Sequence, residues 1–119
     1  MMATSPRISM RQEDGVNVIR FNDNHLFDER TVRDVADQIN AALPNDGKPI
    51  RLILDFSGVE LISSSLLSKL ILLQRKIDGT GGKLRLCELS GILQSVFRTS
   101  NLDRLFTIDR DARASLSMF

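Results

Sequence analysis

Apolar residues recur along this chain with two different periods. Ile8 and Met10 alternate with polar neighbours, and Val16, Val18, Ile19 and Phe21 follow Glu13-Asp14-Gly15. Two short runs joined by an Asp-Gly turn predict an antiparallel hairpin. Asn22-Asp23-Asn24 ends it, and His25-Leu26-Phe27 reads as a short strand or a tight corner. From Glu29 to Leu43 the period lengthens. Val32, Val35, Ala36, Ile39, Ala42 and Leu43 form one stripe at helical spacing, with Arg33, Asp37 and Asn40 on the other face. Asp28 is placed to cap this helix and Pro44-Asn45-Asp46-Gly47 to stop it.

The second half repeats the alternation. Ile50, Leu52, Ile53 and Leu54 predict a buried strand that breaks at Asp55-Phe56-Ser57-Gly58. Ser63, Ser64 and Ser65 then open a periodic segment, roughly 64–78, carrying Leu66, Leu67, Leu70, Ile71 and Ile77. Ser63 is the expected cap, because a hydroxyl oxygen there accepts from an unpaired first-turn N–H. Gly79-Thr80-Gly81-Gly82 forms a flexible exit, and the run from Lys83 to Leu89 alternates as a strand. Ser90 caps a helix expected to turn Ile92, Leu93, Val96 and Phe97 inward, and Asn101 ends it in the left-handed conformation. Leu105 to Ile108 reads as a strand, and Asp109 as the cap of a last helix bearing Ala112, Leu116 and Phe119. Strands alternating with helices predict an α/β domain with crossover connections, made mixed by the opening hairpin. The loop over 55–65 then falls at one exposed edge.

That loop carries a motif. Asp55-Phe56-Ser57-Gly58-Val59, followed by Leu61-Ile62-Ser63-Ser64-Ser65-Leu66-Leu67, resembles the signature of the STAS domain, the fold of bacterial anti-sigma factor antagonists. Two residues depart from it: Ser63 stands where the family has Asp, and Leu66 where it has Gly. The resemblance covers about 7–118, leaving 1–6 as an expected disordered tail. It implies a mixed sheet of about five strands with about four α-helices. It also implies a phosphorylation-switched binding module. The unphosphorylated form binds an anti-sigma factor that is also a serine kinase, which frees the sigma factor. Ser64 occupies the position of the family's phosphorylated serine, with Ser63 and Ser65 as lesser candidates. Placement on the loop edge and the first turns of the helix nominates Asp23, Asn24, Ser57, Gly58, Ser63, Ser64, Leu67 and Ser68 as partner contacts. Leu66 is expected to add an apolar side chain near that surface. The alternative is a constitutively docked STAS subunit of a stress-signalling or lipid-transport assembly.

Composition narrows the field. The 119 residues suit one domain with an ordinary core. Sixteen basic residues against fifteen acidic ones give +1, which offers no electrostatic case for nucleic acid. No apolar run approaches the ~20 residues of a membrane span, which argues against the transporter-attached form of the family. The start of the chain lacks the apolar core of a signal peptide. A single cysteine, Cys87, lies in an alternating run and reads as a core residue; it suits a reducing cytoplasm. Asp55 reads as an acceptor for its own loop's N–H groups, ahead of a ligand site at a strand end. Lys83 is followed by Leu84, not Ser or Thr, so the glycine-rich exit is not a phosphate loop. One histidine, His25, and no nucleophile-elbow pattern leave serine hydrolysis a remote alternative. No spacing suggests a metal. The expectation is a non-enzymatic cytoplasmic module without cofactor.

Overall fold

A computed structural model of the chain describes residues 6–119. Of the tail expected over 1–6, only Pro6 falls within them, and it is exposed. A five-stranded mixed sheet organises the chain in the order β1 (Ile8–Glu13), β2 (Val16–Phe21), β4 (Arg51–Asp55), β6 (Lys83–Cys87) and β7 (Thr107–Asp109). β1 runs antiparallel to β2, and the remaining neighbours are parallel. The hairpin closes through Asp14 and Gly15 at φ 52° and 79°. Left-handed backbone at both central residues is the type I′ turn that matches strand twist.

Period two along the strands divides the core. Ile19, Phe21, Leu52, Leu54, Leu84 and Leu86 face a large cluster completed by α1 (Glu29–Ala42), α2 (Ser64–Gly79) and α3 (Gly91–Thr99). Val16, Val18, Ile53 and Cys87 face the opposite side, where Ala112, Leu116 and Phe119 of the α4 region (Ala112–Ser117) pack on them. A central strand covered on both faces can run apolar without alternation, as Leu52-Ile53-Leu54 does. Cys87 is fully buried, and burial first, then the charges of Asp55 and Glu88, pushes its thiol up to about 12.

Three sequence expectations change. Ile92 is 70% exposed, so α3 turns only Leu93 and Phe97 fully inward. Asp109 does not cap the last helix. Asp111 does, its carboxylate accepting from the Ala114 N–H at 2.8 Å. Asp109 instead takes the buried Arg85 guanidinium at 2.7 and 3.0 Å and the Ser115 hydroxyl at 2.6 Å, which ties α4 to β6. The Leu105 end of the expected last strand is not strand: a 3-10 turn (Leu102–Arg104) precedes it, and β7 starts at Thr107.

The glycine-rich exit of α2 is built for closeness rather than flexibility. Thr80 Oγ donates to the Ile77 carbonyl at 2.6 Å and accepts from the Ile50 and Gly82 amides at 3.1 and 3.2 Å. A Cβ at Gly82 would lie 1.8 Å from the Ile50 carbonyl oxygen. That contact is with backbone and cannot yield cheaply.

Two predictions follow from these contacts. Gly82→Ala lowers unfolding free energy by roughly 2–4 kcal/mol, read from urea titrations, whereas an ordinary surface alanine stays within about 0.5 kcal/mol. Hydrogen bonds from Arg85 hold the Asp109 carboxyl below the usual carboxylate range. A depressed folded value means the stabilisation is present above the unfolded value of about 3.9 and fades as pH falls through the folded one. Asp109→Asn therefore costs roughly 2–4 kcal/mol at pH 7. The gap to the parent narrows in acid; a gap independent of pH contradicts the assignment.

Candidate functional site

The amino end of α2 is held by a second, very small sheet, of which the sequence reading anticipates one strand, at His25-Leu26, and misses the other. β3 (His25–Leu26) pairs in parallel with β5 (Leu61–Ile62). Each strand sends one residue inward, Leu26 and Ile62, and leaves one out, His25 and Leu61. Backbone bonds extend the ladder. The Asn24 carbonyl accepts from the Glu60 amide at 2.7 Å, and the Leu26 carbonyl from the Ser63 amide at 3.1 Å. The β2–β3 and β4–β5 loops are thereby clamped side by side, and the chain enters α2 at a fixed point.

Ser63 caps the helix in extended backbone, its Oγ accepting from the Leu66 amide at 3.1 Å. Ser64 is the first helical residue and is exposed; Ser65 is the second and is also exposed. Ser68, one turn on, is exposed and donates its hydroxyl back to the Ser64 carbonyl at 3.2 Å. Ser63 thus has a structural task, while the Ser64 and Ser65 side chains face solvent at the positive end of the helix dipole.

The β4–β5 loop is fixed by Asp55. Its carboxylate accepts from the Ser57 amide at 2.8 Å and from the Ser57 hydroxyl. The side chain is 6% exposed and spent on its own loop, as the sequence reading of Asp55 anticipates. Gly58 sits at φ 79°, exposed, with the Asn24 side chain within 4.0 Å of where a Cβ would be. Glu88, at the end of β6, adopts φ 61°, costly for a residue with a Cβ. Its carboxylate lies 3.4 Å from the Ser57 hydroxyl.

The nominated residues divide as follows. Asn24, Gly58, Ser64 and Ser68 are exposed and Ser57 and Ser63 are half-buried, all on the loop edge or the first turns of α2. Asp23 is half-buried and pairs with Arg7 at 3.2 Å. Leu67 is a correction: at 9% exposure it belongs to the large core cluster, because positions 66, 67, 70 and 73 share the inward stripe of α2. Leu66 is corrected likewise. It is 1% exposed, so its side chain leaves the outer surface unchanged. Two exposed apolar residues on this edge escape sequence reading, Phe27 at 55% and Leu61 at 42%. The signal is alternation across strands of two residues, with Leu61 inside β5 and Phe27 just after β3, too short to register as a period. Among the described residues no cluster of His, Cys, Asp and Glu could hold a metal ion, and no helix is long and apolar enough to cross a membrane.

Comparison with known proteins places this geometry. The family model described as "Mlab, STAS domain" matches residues 26–108. No curated protein sequence matches the chain. Among solved structures, an anti-sigma-factor antagonist (STAS) domain protein from Planctomyces limnophilus is 25% identical, with TM-score 0.83 over 94% of this chain and 97% of its own. An anti-sigma factor antagonist from Mycobacterium paratuberculosis is 22% identical, with TM-score 0.79 over 93% and 91%. The Bacillus cell fate determinant SpoIIAA in its phosphorylated form is 18% identical, with TM-score 0.65 over 94% and 99%. The mixed five-stranded sheet, its four helices and the matched family model together make this chain a member of the STAS domain family.

Proposed function

We propose that this protein is an anti-sigma factor antagonist: a non-enzymatic docking module, working in the cytoplasm, whose partner is an anti-sigma factor acting as a serine kinase. In its unmodified state it binds that partner and releases the sigma factor; a phosphate on Ser64 ends the interaction. One observation carries the reading. Ser63 supplies the cap, so the Ser64 hydroxyl is left exposed and structurally idle at the first position of α2.

Physical chemistry makes the switch one of surface rather than fold. A phosphate adds about −1.5 to −2 charge at pH 7. The unpaired N–H groups and dipole of a helix amino end tolerate that charge. Exposed Phe27 and Leu61 give the same edge an apolar component, and a partner covering them would have to desolvate a dianion beside them. Asn24, Gly58, Ser68 and the Ser57 and Ser63 backbones complete the proposed contact face, with Leu67 acting from below as packing.

The geometry of the two departures is compatible with the switch: Ser63 caps the helix, and Leu66 points into the core. A neutral residue 63 does remove a fixed charge that a kinase could read, and the matched family model is described by Mlab. Both favour a second reading, constitutive docking as a subunit of a larger assembly.

The division of labour between the serines is measurable. Ser63→Ala lowers stability by about 1 kcal/mol through loss of the cap, while Ser64→Ala stays within about 0.5 kcal/mol. With a cognate kinase and ATP, intact mass rises by one phosphate, and the gain disappears in Ser64→Ala but not in Ser65→Ala. Stable association with a partner that is indifferent to Ser64→Asp overturns the switch in favour of the assembly subunit.

A further inference from the structure

Three shallow depressions lie in series along the cleft between α1 and α2. Glu29, Val32, Arg33, Ser65 and Lys69 line the first, at the head of α2. Lys69 also borders the second, at whose bottom lie Val35, Ile39, Leu66, Leu70 and Leu73, core side chains at most 7% exposed. Asn40 and Lys76 are shared between the second and the third, which continues to Leu43, Lys48 and Thr80. Shared walls make these one groove running much of the length of α1, whose 14 residues span about 21 Å.

The groove is apolar below and basic at its margins. Arg33, Lys48, Lys69 and Lys76 border it, against the carboxylates of Glu29 and Asp37. Lys76 donates to the neutral Asn40 side chain at 3.0 Å. None of the four cations takes part in an ion pair among the described residues. Leu72, on the α2 lip, is 58% exposed. The exposed Leu72 side chain, set among unpaired cations above a floor of core side chains, calls for an occupant with an apolar ridge and negative margins.

We propose that the α1–α2 groove docks an amphipathic helix of a partner protein, with acidic residues flanking its apolar ridge. Two parallel rows of helix side chains offer the ridges and grooves into which a third helix packs, and helix-in-groove recognition reads apolar anchors at i, i+3, i+4 and i+7. The rim charges would set partner choice and encounter rate. A flat membrane reaches Leu72 but not the recessed floor. A second copy of this chain is a poor occupant. Outside α1 and α2, which form the groove walls, its α-helices carry Arg98 and Arg113 and no acid. The proposal does not depend on Ser64, which the groove does not include; Ser65 stands at its head.

Titrating the ¹⁵N-labelled full chain with a synthetic helix of about 18 residues, Leu-ridged and Glu-flanked, tests this. Saturable shifts are expected at Val35, Ile39, Leu70 and Leu73, weakening with added salt. The exposed double variant Lys69→Glu/Lys76→Glu reduces affinity roughly tenfold, Leu72→Ala reduces it to a smaller degree, and Ser64→Ala leaves it unchanged. Equal binding of a Lys-flanked peptide overturns the proposal. So do shifts confined to the Ser64 edge, or the absence of saturable shifts at roughly 1 mM peptide. Binding of anionic phospholipid vesicles without peptide binding overturns it in favour of a lipid surface.

Discussion

A helix begins with backbone donors that its own turns cannot satisfy, and the start of α2 is arranged around that deficit. The Ser63 side chain answers one donor at Leu66 and the Leu26 carbonyl receives the Ser63 amide itself. Because the cap is supplied by residue 63, residue 64 is released from any structural duty while remaining in the field of the helix terminus. The β3–β5 ladder, the Asp55 turn and the packing of Leu66 and Leu67 all fix where that terminus sits. Moving any of them would move the hydroxyl.

The rest of the fold supplies a rigid platform for this point. Parallel central strands buried on both faces carry the loops of one sheet edge, and loops on rigid scaffolds are where recognition residues collect. Polar contacts lock two helices to the sheet: Thr80 joins the exit of α2 to the start of β4, and Arg85 with Asp109 and Ser115 joins α4 to β6. Of the three left-handed non-glycine residues, Asp14 and Asn101 are types that tolerate the conformation, while Glu88 holds it beside the Asp55–Ser57 turn. Surface chemistry can therefore change at α2 with the core unmoved.

Most of the architecture was legible from period and punctuation. The Asp14-Gly15 turn, the stripe of α1 and the caps at Asp28, Ser63 and Ser90 lie where local physics puts them. Errors arose where tertiary competition decides. Asp109 and Asp111 are both plausible caps in sequence, and only the buried Arg85 on the neighbouring strand claims the first. Leu67 belongs to the apolar period of α2 but was nominated as a contact by its place in the first turn; the inward stripe takes it into the core. His25-Leu26 was legible as a short strand or corner, but its partner Leu61–Ile62 is shorter than any period can reveal, so the exposure of Phe27 and Leu61 went unread. The Ser64 position itself was readable only through the family motif, since a serine at a first helical turn is unremarkable on its own.

The central claim is that negative charge on Ser64 alters docking and spares the fold. Its most direct test is the unfolding free energy of the protein carrying phosphoserine at 64 against the unmodified protein, by urea titration in the same buffer. The account predicts values within about 0.5–1 kcal/mol of each other, or a slight gain from the helix dipole. A loss of several kcal/mol on phosphorylation would contradict it, because the modification would then act by unfolding the host and not by reshaping its surface.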